Sequence, residues 1–138
     1  MGNAEYVKDI ANTLEQIHNG EVAYCPYCGK MFKWDSVKFN EEDNTEYCPD
    51  CNEEVVNMFM SDYFNDDSIY NIEYRAPSKH DDINSVSVMV ACGGPNIYID
   101  TGDKKVKLYW YMDYAECDIS TGCADEITAY FNELWNCE

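Results

Sequence analysis

The chain has very little positive charge. Of its 138 residues only nine are Lys or Arg, with Arg75 the single arginine, against 27 Asp and Glu, so the formal net charge is −18. Proteins that bind DNA or RNA gain affinity by neutralising phosphates with Lys and Arg. The sequence therefore predicts no direct binding to nucleic acid. It predicts attraction to a strongly basic protein, and this attraction should weaken as the salt concentration rises.

Long apolar runs and targeting segments are also missing. No run approaches the roughly 20 apolar residues that a membrane-spanning helix needs. The first residues, Met1-Gly2-Asn3-Ala4-Glu5-Tyr6, carry neither the basic nor the apolar region of a secretory signal. With 46% hydrophobic and 14% aromatic residues, the chain can nevertheless bury one compact core. We therefore expect a cytoplasmic protein with no membrane partner.

Residue patterns typical of catalysis are scarce. The only histidines are His18 and His80, and neither is spaced to form a Cys–His pair. The turn Cys92-Gly93-Gly94-Pro95 lacks the Lys-Ser/Thr pair and the following helix of a phosphate-binding loop. Carboxylates are so numerous that no pair stands out as a general acid and base. We therefore predict that the protein is not an enzyme.

Cysteine is abundant, with eight in the chain, and four of them form two Cys-x-x-Cys pairs. Cys25 and Cys28 form the first pair and Cys48 and Cys51 the second, with residues 29–47 between them. This spacing is typical of a four-thiolate zinc site, and the stretch resembles a zinc ribbon. Four thiolates leave no open coordination position, so the predicted cofactor is a structural Zn²⁺.

The residues around the pairs favour a metal over other uses of cysteine. Gly29 and Asn52 each directly follow the second cysteine of a pair, where a tight turn needs a left-handed backbone. A redox Cys-x-x-Cys motif needs no matched second pair, and a cytoplasmic chain keeps few structural disulfides. Whether the remaining cysteines are free or form a second site stays open. These are Cys92, Cys117, Cys123 and Cys137.

The periodicity of apolar residues predicts an α+β fold. Helical spacing predicts helices at 4–19, about 53–64 and about 120–136. From residue 68 the period changes to two, which predicts an antiparallel sheet of about four strands. We therefore expect an N-terminal helix and a four-cysteine zinc ribbon joined to a sheet with a C-terminal helix on one face.

Within this organisation the zinc ribbon is expected to contain a hairpin. Residues 31–34 and 37–39 are predicted to be its two strands. The predicted divisions of the chain are an N-terminal helix at 1–21, the zinc ribbon and following helix at 22–67, and the sheet with the C-terminal helix at 68–138.

One part of the chain resembles a known group of proteins. The stretch Val90-Ala91-Cys92-Gly93-Gly94-Pro95-Asn96-Ile97-Tyr98-Ile99-Asp100-Thr101 resembles a motif in small uncharacterised proteins of phages, plasmids and other mobile elements. There an aromatic-rich strand like Leu108-Tyr109-Trp110-Tyr111 and a closing helix like Tyr130-Phe131-Asn132-Glu133-Leu134-Trp135 follow it. The resemblance covers about residues 84–136. Small acidic proteins of such elements include anti-CRISPR proteins, some of them DNA mimics, which implies a bacterial host cell.

Charge and resemblance together predict an inhibitor that acts by binding. An acidic surface would occupy the cationic channel of a nucleic-acid-binding enzyme, such as a CRISPR effector (Cas) nuclease. Tyrosines would add amphipathic contact area. The alternative is a zinc-ribbon adaptor that regulates host transcription or replication by protein contact, and the carboxylates could also be only a solvated face. The candidate contact residues are Glu41, Glu42, Asp43, Glu46, Asp62, Asp66, Asp67, Asp81, Asp82, Asp113, Glu116, Asp118, Tyr98, Tyr109 and Tyr111.

Overall fold

A computed structural model describes residues 2–65 and 68–137. Two long helices pack on one face of a five-stranded antiparallel sheet. In sequence order, a small cysteine-containing unit follows the first helix and precedes the strands of this sheet. The predicted α+β class, the N-terminal helix and the C-terminal helix are confirmed. The strand count is five instead of about four.

The first helix, α1 (Asn3–His18), forms because its apolar residues recur every three or four positions. Val7, Ala11, Leu14 and Ile17 are buried, and they face the sheet core. The chain then leaves the helix through Gly20, whose φ of 73° lies in the left-handed region that glycine adopts without strain. This turn directs the chain into the cysteine-containing unit.

The cysteine unit, residues 22–58, is built from short strands. Its strands pair in two separate sheets, a three-stranded sheet in the order β2-β1-β5 and a two-stranded hairpin of β3 and β4. The strands are β1 (Val22–Tyr24), β2 (Met31–Lys33), β3 (Lys38–Asn40), β4 (Thr45–Tyr47) and β5 (Val56–Asn57).

The predicted hairpin of residues 31–34 and 37–39 is wrong. β2 pairs with β1 across the first Cys-x-x-Cys turn, and β3 pairs with β4. A 3-10 turn, Trp34–Ser36, lies between β2 and β3 in the chain. The turn between β3 and β4 closes through Asn44, whose φ is 53°.

The predicted helix at 53–64 is also largely wrong. The backbone N–H of Val55 donates to the Glu46 carbonyl at 3.1 Å, and that of Met58 donates to the Val22 carbonyl at 3.0 Å. Pairing with neighbouring strands thus uses the groups that a helix would need, and tertiary contacts override the local periodicity. Only α2 (Met60–Tyr63) is helical, and it begins where the Asp62 carboxylate accepts the Phe59 N–H at 2.9 Å.

The main sheet has the strand order β10-β9-β8-β7-β6, so every neighbouring pair is antiparallel and sequential. The strand that the periodicity did not predict is the last one. Its inward positions hold only Ala115 and Cys117, which give a weak apolar signal, and its other residues are polar or tyrosine. The strands are β6 (Asn71–Arg75), β7 (Ser85–Ala91), β8 (Asn96–Asp100), β9 (Lys105–Trp110) and β10 (Asp113–Asp118).

The last helix, α3 (Thr121–Asn136), starts at Ser120, whose side chain accepts the Cys123 N–H. Its buried residues Ile127 and Phe131 pack in one core with α1 and with the inward side chains of β7, β8 and β9. The inward side chains are Val86, Val88, Ile97, Ile99, Val106 and Leu108.

Both helices therefore cover the same face of the sheet. The opposite face, called the outer face below, carries the alternate residues of β8, β9 and β10 and has no helix on it within the described residues. These residues are Asn96, Tyr98, Asp100, Lys105, Lys107, Tyr109, Tyr114, Glu116 and Asp118. Among the described residues no helix has the length and apolar character to cross a bilayer.

Candidate functional site

The two Cys-x-x-Cys pairs come together as one cluster. The Sγ atoms of Cys25, Cys28, Cys48 and Cys51 all lie within 4.8 Å of one another. Sγ of Cys25 is 3.4 Å from that of Cys51, and Sγ of Cys28 is 3.7 Å from that of Cys48. Tetrahedral ligands about 2.3 Å from a zinc ion lie roughly 3.8 Å apart. The cysteine cluster can therefore hold a metal ion.

The same backbone turn presents each pair of sulfurs. In the first turn the Cys25 N–H donates to the Lys30 carbonyl and the Gly29 N–H donates to the Cys25 carbonyl, at 3.0 and 2.8 Å. In the second turn Cys48 and Asn52 repeat this pattern at 2.8 and 3.0 Å. Gly29 has φ 76° and Asn52 has φ 61°, so the predicted left-handed positions are confirmed.

The electrostatics of the cysteine cluster favour a cation. Burial raises the pKa of the Cys25 thiol, but hydrogen bonds from the Cys28 backbone and from neighbouring cysteines outweigh this and lower the pKa to about 7. The Glu53 backbone lowers the pKa of Cys51, but burial and hydrogen bonds with neighbouring sulfurs raise it to about 12. Four thiolates this close repel one another unless a bound metal compensates their charge.

An ion pair joins the two turns at the surface. Lys30 follows the first turn and Asp50 lies inside the second, and Nζ of Lys30 is 2.5 Å from Oδ2 of Asp50. Below the cluster a small separate core supports the sulfurs, with Ala23 and Val55 buried and Trp34 packed against them. The middle of the cysteine unit thus has its own core, whereas its end residues Val22 and Met58 belong to the core under the main sheet.

The other four cysteines do not come together in a comparable group. Within residues 2–65 and 68–137, the four paired cysteines are the one group with metal-ligand spacing. Cys92 and Cys137 are exposed and Cys117 is half-buried, while Cys123 is fully buried in the main core. Burial raises the pKa of the Cys123 thiol to about 12, so that group stays protonated at neutral pH.

His18 ends α1 beside α3. Its Nδ1 lies 2.8 Å from Oε1 of Glu126, so the side chain ties the two helices together. Close by, Glu15 accepts the Ser120 N–H at 2.7 Å and also makes a hydrogen bond to the start of α3 at Cys123. These polar contacts connect α1 to α3, so the role of His18 and Glu15 in this arrangement is structural.

The predicted contact residues lie in several separate places. Glu41, Glu42, Asp43 and Glu46 lie on the β3–β4 hairpin of the cysteine unit. There the Tyr47 hydroxyl donates to Asp43 at 3.1 Å.

Three further predicted contact residues serve local structure. Asp62 caps α2. Asp81 and Asp82 lie in the loop before β7, and the Trp135 indole N–H and the Asn136 amide hold that loop against α3. Asp66 and Asp67 lie outside the described residues.

The remaining predicted contact residues lie on the strands at one edge of the main sheet and in the turn that joins two of them. Tyr98 and Tyr109 lie on the outer face, Tyr111 lies in the β9–β10 turn, and the carboxylates Asp113, Glu116 and Asp118 lie on β10. Strand register alone makes them neighbours, since Tyr109 is opposite Tyr114 and Lys105 is opposite Asp118. The structure therefore gathers six of the fifteen predicted contact residues on β8 to β10.

A ladder of tyrosine rings crosses the outer face. The ring of Tyr109 contacts Tyr98 at 5.9 Å and Tyr114 at 4.9 Å, both edge-to-face. The Tyr114 hydroxyl donates to Glu116 at 2.6 Å, and this hydrogen bond raises the pKa of Tyr114. Sequence reasoning missed Tyr114, although the aromatic run from Tyr109 onward was a visible signal.

The lysines of the outer face are neutralised by carboxylates. Nζ of Lys105 lies 2.6 Å from Asp118 and 3.3 Å from Glu116. Lys107 pairs with Asp100 at 3.6 Å and also with Asp103. The two lysines of this face are thus paired within it, and together with Asp100, Glu116 and Asp118 they leave it a small negative net charge.

An ion pair between the buried Asp100 and the partly exposed Arg75, at the edge of this face, was not predicted. Arg75 donates from both Nη atoms to the two carboxylate oxygens of Asp100 at 3.0 and 2.9 Å. Burial opposes the charge of Asp100, but Arg75 and the Asp103 N–H outweigh it and lower the pKa of that carboxyl. A Cβ at Gly102 would lie 2.9 Å from Nη1 of Arg75 and 3.0 Å from Oγ of Ser85, so a side chain there would displace the guanidinium.

Comparisons of this chain with models of protein families, with curated proteins and with solved structures found no match.

Proposed function

We propose that this protein is an acidic docking protein that inhibits a nucleic-acid-binding enzyme by covering its cationic channel. The observation that carries this proposal is the outer face, where tyrosines and exposed carboxylates lie together on strands that no described helix covers. Such a face offers amphipathic contact area, and the chain's net charge of −18 supplies a negative field around it. A CRISPR effector nuclease in the cytoplasm of a bacterial host is the enzyme class that we infer.

The charges of the described residues argue for a basic protein as the partner. Lys30, Arg75, Lys105 and Lys107 all form ion pairs with carboxylates, so they are not free to bind phosphates. A chain with a net charge of −18 is repelled by nucleic acid and by anionic membranes. A channel that holds guide RNA and target DNA through backbone contacts carries the opposite charge.

We further propose that the metal of the cysteine cluster is structural Zn²⁺. Four sulfurs with tetrahedral spacing suit zinc, and they leave no coordination position for a substrate. Because the sulfurs come from two turns joined only by β2 to β4, the ion would hold the unit together.

Metal analysis should find one zinc ion per chain. Replacing it with Co²⁺ should give the intense visible absorption bands of tetrahedral thiolate coordination. Cys48→Ser should lose most of the bound metal, whereas the control Cys137→Ser, at an exposed cysteine outside the cluster, should keep it. Equal metal content in both variants, measured by mass spectrometry of the elements, would contradict this assignment.

The inhibition is tested with two variants of equal net charge. Glu116→Lys/Asp118→Lys reverses two carboxylates of the outer face on β10, whereas Asp125→Lys/Glu133→Lys reverses two on α3, on the other side of the sheet. DNA cleavage by guide-loaded CRISPR nucleases is measured with each protein at low and high salt. We expect wild type to inhibit at low salt and the β10 variant to need at least about tenfold more protein.

The α3 variant should inhibit like wild type, because it changes the net charge without changing the outer face. Urea unfolding of each variant checks that both fold. If no nuclease of a bacterial host is inhibited by wild type, or if both variants lose inhibition equally, the proposal fails.

One observation favours the adaptor as a second candidate. The cysteine unit exposes two aromatic side chains, Tyr27 in the first turn and Phe39 on β3, and such residues are enriched at protein interfaces. A pull-down with the wild-type protein that recovers host polymerase or replisome subunits would favour an adaptor over an inhibitor. This recovery should be lost in Phe39→Ser and kept in the β10 variant.

A further inference from the structure

The turn between β9 and β10 exposes three large apolar side chains. Trp110, Tyr111 and Met112 have 41%, 96% and 101% of their surface exposed. The Trp110 and Tyr111 rings stack on each other with centroids 6.0 Å apart. We call these three residues the hairpin tip. Adjacent exposed apolar residues at a protruding turn are typical of binding surfaces.

Folding does not explain the tyrosine in this turn. Trp110 and Asp113 are the last paired residues, so Tyr111 and Met112 form a two-residue turn. Tyr111 has φ 55°, in the left-handed region where Gly, Asn and Asp are strongly preferred in such turns. A tyrosine here disfavours the turn and buries almost nothing in return, and residues of this kind cluster at functional sites.

We propose that the hairpin tip is the apolar anchor of the docking face and that it inserts into a cleft that is apolar at its base and lined with Lys and Arg at its rim. This inference rests on the proposed function, since the partner is the same basic protein. It goes beyond that function by assigning most of the binding energy to the three residues of the hairpin tip. Anchors of this kind are few, aromatic and central, and the charges around them mainly steer the approach.

The charges beside the hairpin tip select this partner over others. Asp113 directly follows the tip, whereas Glu116 and Asp118 lie farther along β10 and pair with Lys105, so an approaching surface meets one carboxylate beside the apolar tip of a chain with net charge −18. An anionic bilayer and a second copy of this chain would both be repelled. A basic rim around an apolar cleft complements the tip in charge and in polarity.

Two labelled peptides test this chemistry without an identified enzyme. One is an amphipathic helix of Lys and Leu, and the other is an oligolysine with the same number of lysines. Fluorescence anisotropy measures the affinity of each for wild type and for Tyr111→Asn/Met112→Ser. Asparagine suits the left-handed position, so this variant should show a urea midpoint at least equal to that of wild type.

We expect wild type to bind the Lys/Leu peptide more tightly than oligolysine. The tip variant should lose about tenfold in affinity for the Lys/Leu peptide and none for oligolysine. The control Tyr70→Ser removes an exposed tyrosine elsewhere and should change neither affinity. In the nuclease assay, the tip variant should weaken inhibition by a similar factor at low and at high salt.

The outcomes separate the two proposals. If wild type binds oligolysine but the tip variant binds both peptides as wild type does, the anchor is wrong and the charge-based function stands. If wild type binds neither peptide at low salt, both are wrong. Binding to vesicles of phosphatidylserine and phosphatidylcholine, or a dimer in sedimentation, that disappears in the tip variant would replace the basic protein with a lipid surface or a second copy, and would overturn the inference.

Discussion

Loss of the metal is expected to unfold the cysteine unit and leave the main sheet folded. In small zinc domains the bound ion contributes an apparent ~10–16 kcal/mol at neutral pH, far more than a small core alone supplies. The unit's own core contains only Ala23, Cys25, Cys48 and Val55 as buried residues. The core of α1, α3 and the sheet is separate and much larger. Cys25→Ser, or a strong chelator, should therefore unfold the cysteine unit without unfolding the main sheet.

Hydrogen exchange followed by mass spectrometry measures this effect. Amides of residues 22–57 should lose protection in Cys25→Ser, whereas amides of β7, β8 and β9 should keep it. Cys92→Ser changes an exposed cysteine outside the cluster and should behave like wild type. Loss of protection across the whole chain would show that the two parts fold as one unit, and unchanged protection would show that no metal stabilises the cysteines.

Arg75→Ala is expected to cost about 2 kcal/mol of unfolding free energy. Removing one partner of a buried ion pair leaves the other charge desolvated, which costs roughly 3–5 kcal/mol where burial is complete. The expected cost is smaller here because Arg75 is partly exposed, with 39% of its side-chain surface accessible, and because Lys107 still faces Asp100. The unfolding free energy of Arg75→Lys should fall between those of wild type and Arg75→Ala, since an ammonium group cannot make the two parallel hydrogen bonds.

The pH dependence of this effect has a defined sign. The carboxyl of Asp100 has a lowered pKa in the folded protein, so its stabilisation is present above the unfolded value of about 3.9 and is lost as the pH falls through the folded value. Without Arg75 the pKa of Asp100 in the folded protein rises. The stabilisation from the Asp100 carboxylate is then lost at a higher pH than in wild type. The difference between wild type and Arg75→Ala should therefore be largest near pH 7 and shrink below about pH 4.

Urea unfolding at several pH values measures both quantities. Lys79→Ala is the matched control, because it removes one positive charge from an exposed loop without removing the buried contact. If Arg75→Ala and Lys79→Ala unfold alike at pH 7, the ion pair does not stabilise the fold. If the cost of Arg75→Ala persists undiminished at pH 3, it comes from lost packing rather than from the charge of Asp100.

The cysteine cluster could be predicted because its determinants are local. Two Cys-x-x-Cys pairs, with Gly29 and Asn52 at the same position after each, specify the turns that aim the sulfurs. The strands β6 to β9 were predicted for a similar reason, since alternation of side chains is a local property. The strand β10 (Asp113–Asp118) was not predicted. Its inward residues, Ala115 and Cys117, are small, and its outward residues are charged or aromatic.

The other features depend on contacts between distant residues. The stretch at 53–64 has helical periodicity, yet hydrogen bonds to Glu46 and Val22 determine its structure. The pair of Arg75 and Asp100 joins strands that are not adjacent in the chain, so no sequence pattern marks it. The gathering of tyrosines and carboxylates on one face requires the register of β8, β9 and β10, which emerges only when the strands pair.

The cysteine unit enters and leaves the fold at one point. The Met58 N–H donates to the Val22 carbonyl at 3.0 Å, so the first and last residues of the unit are hydrogen-bonded neighbours. Chain segments with adjoining ends can be excised, exchanged or lengthened at little cost to the host fold. A chain that lacks this unit, or carries another in its place, should therefore keep the sheet and its outer face.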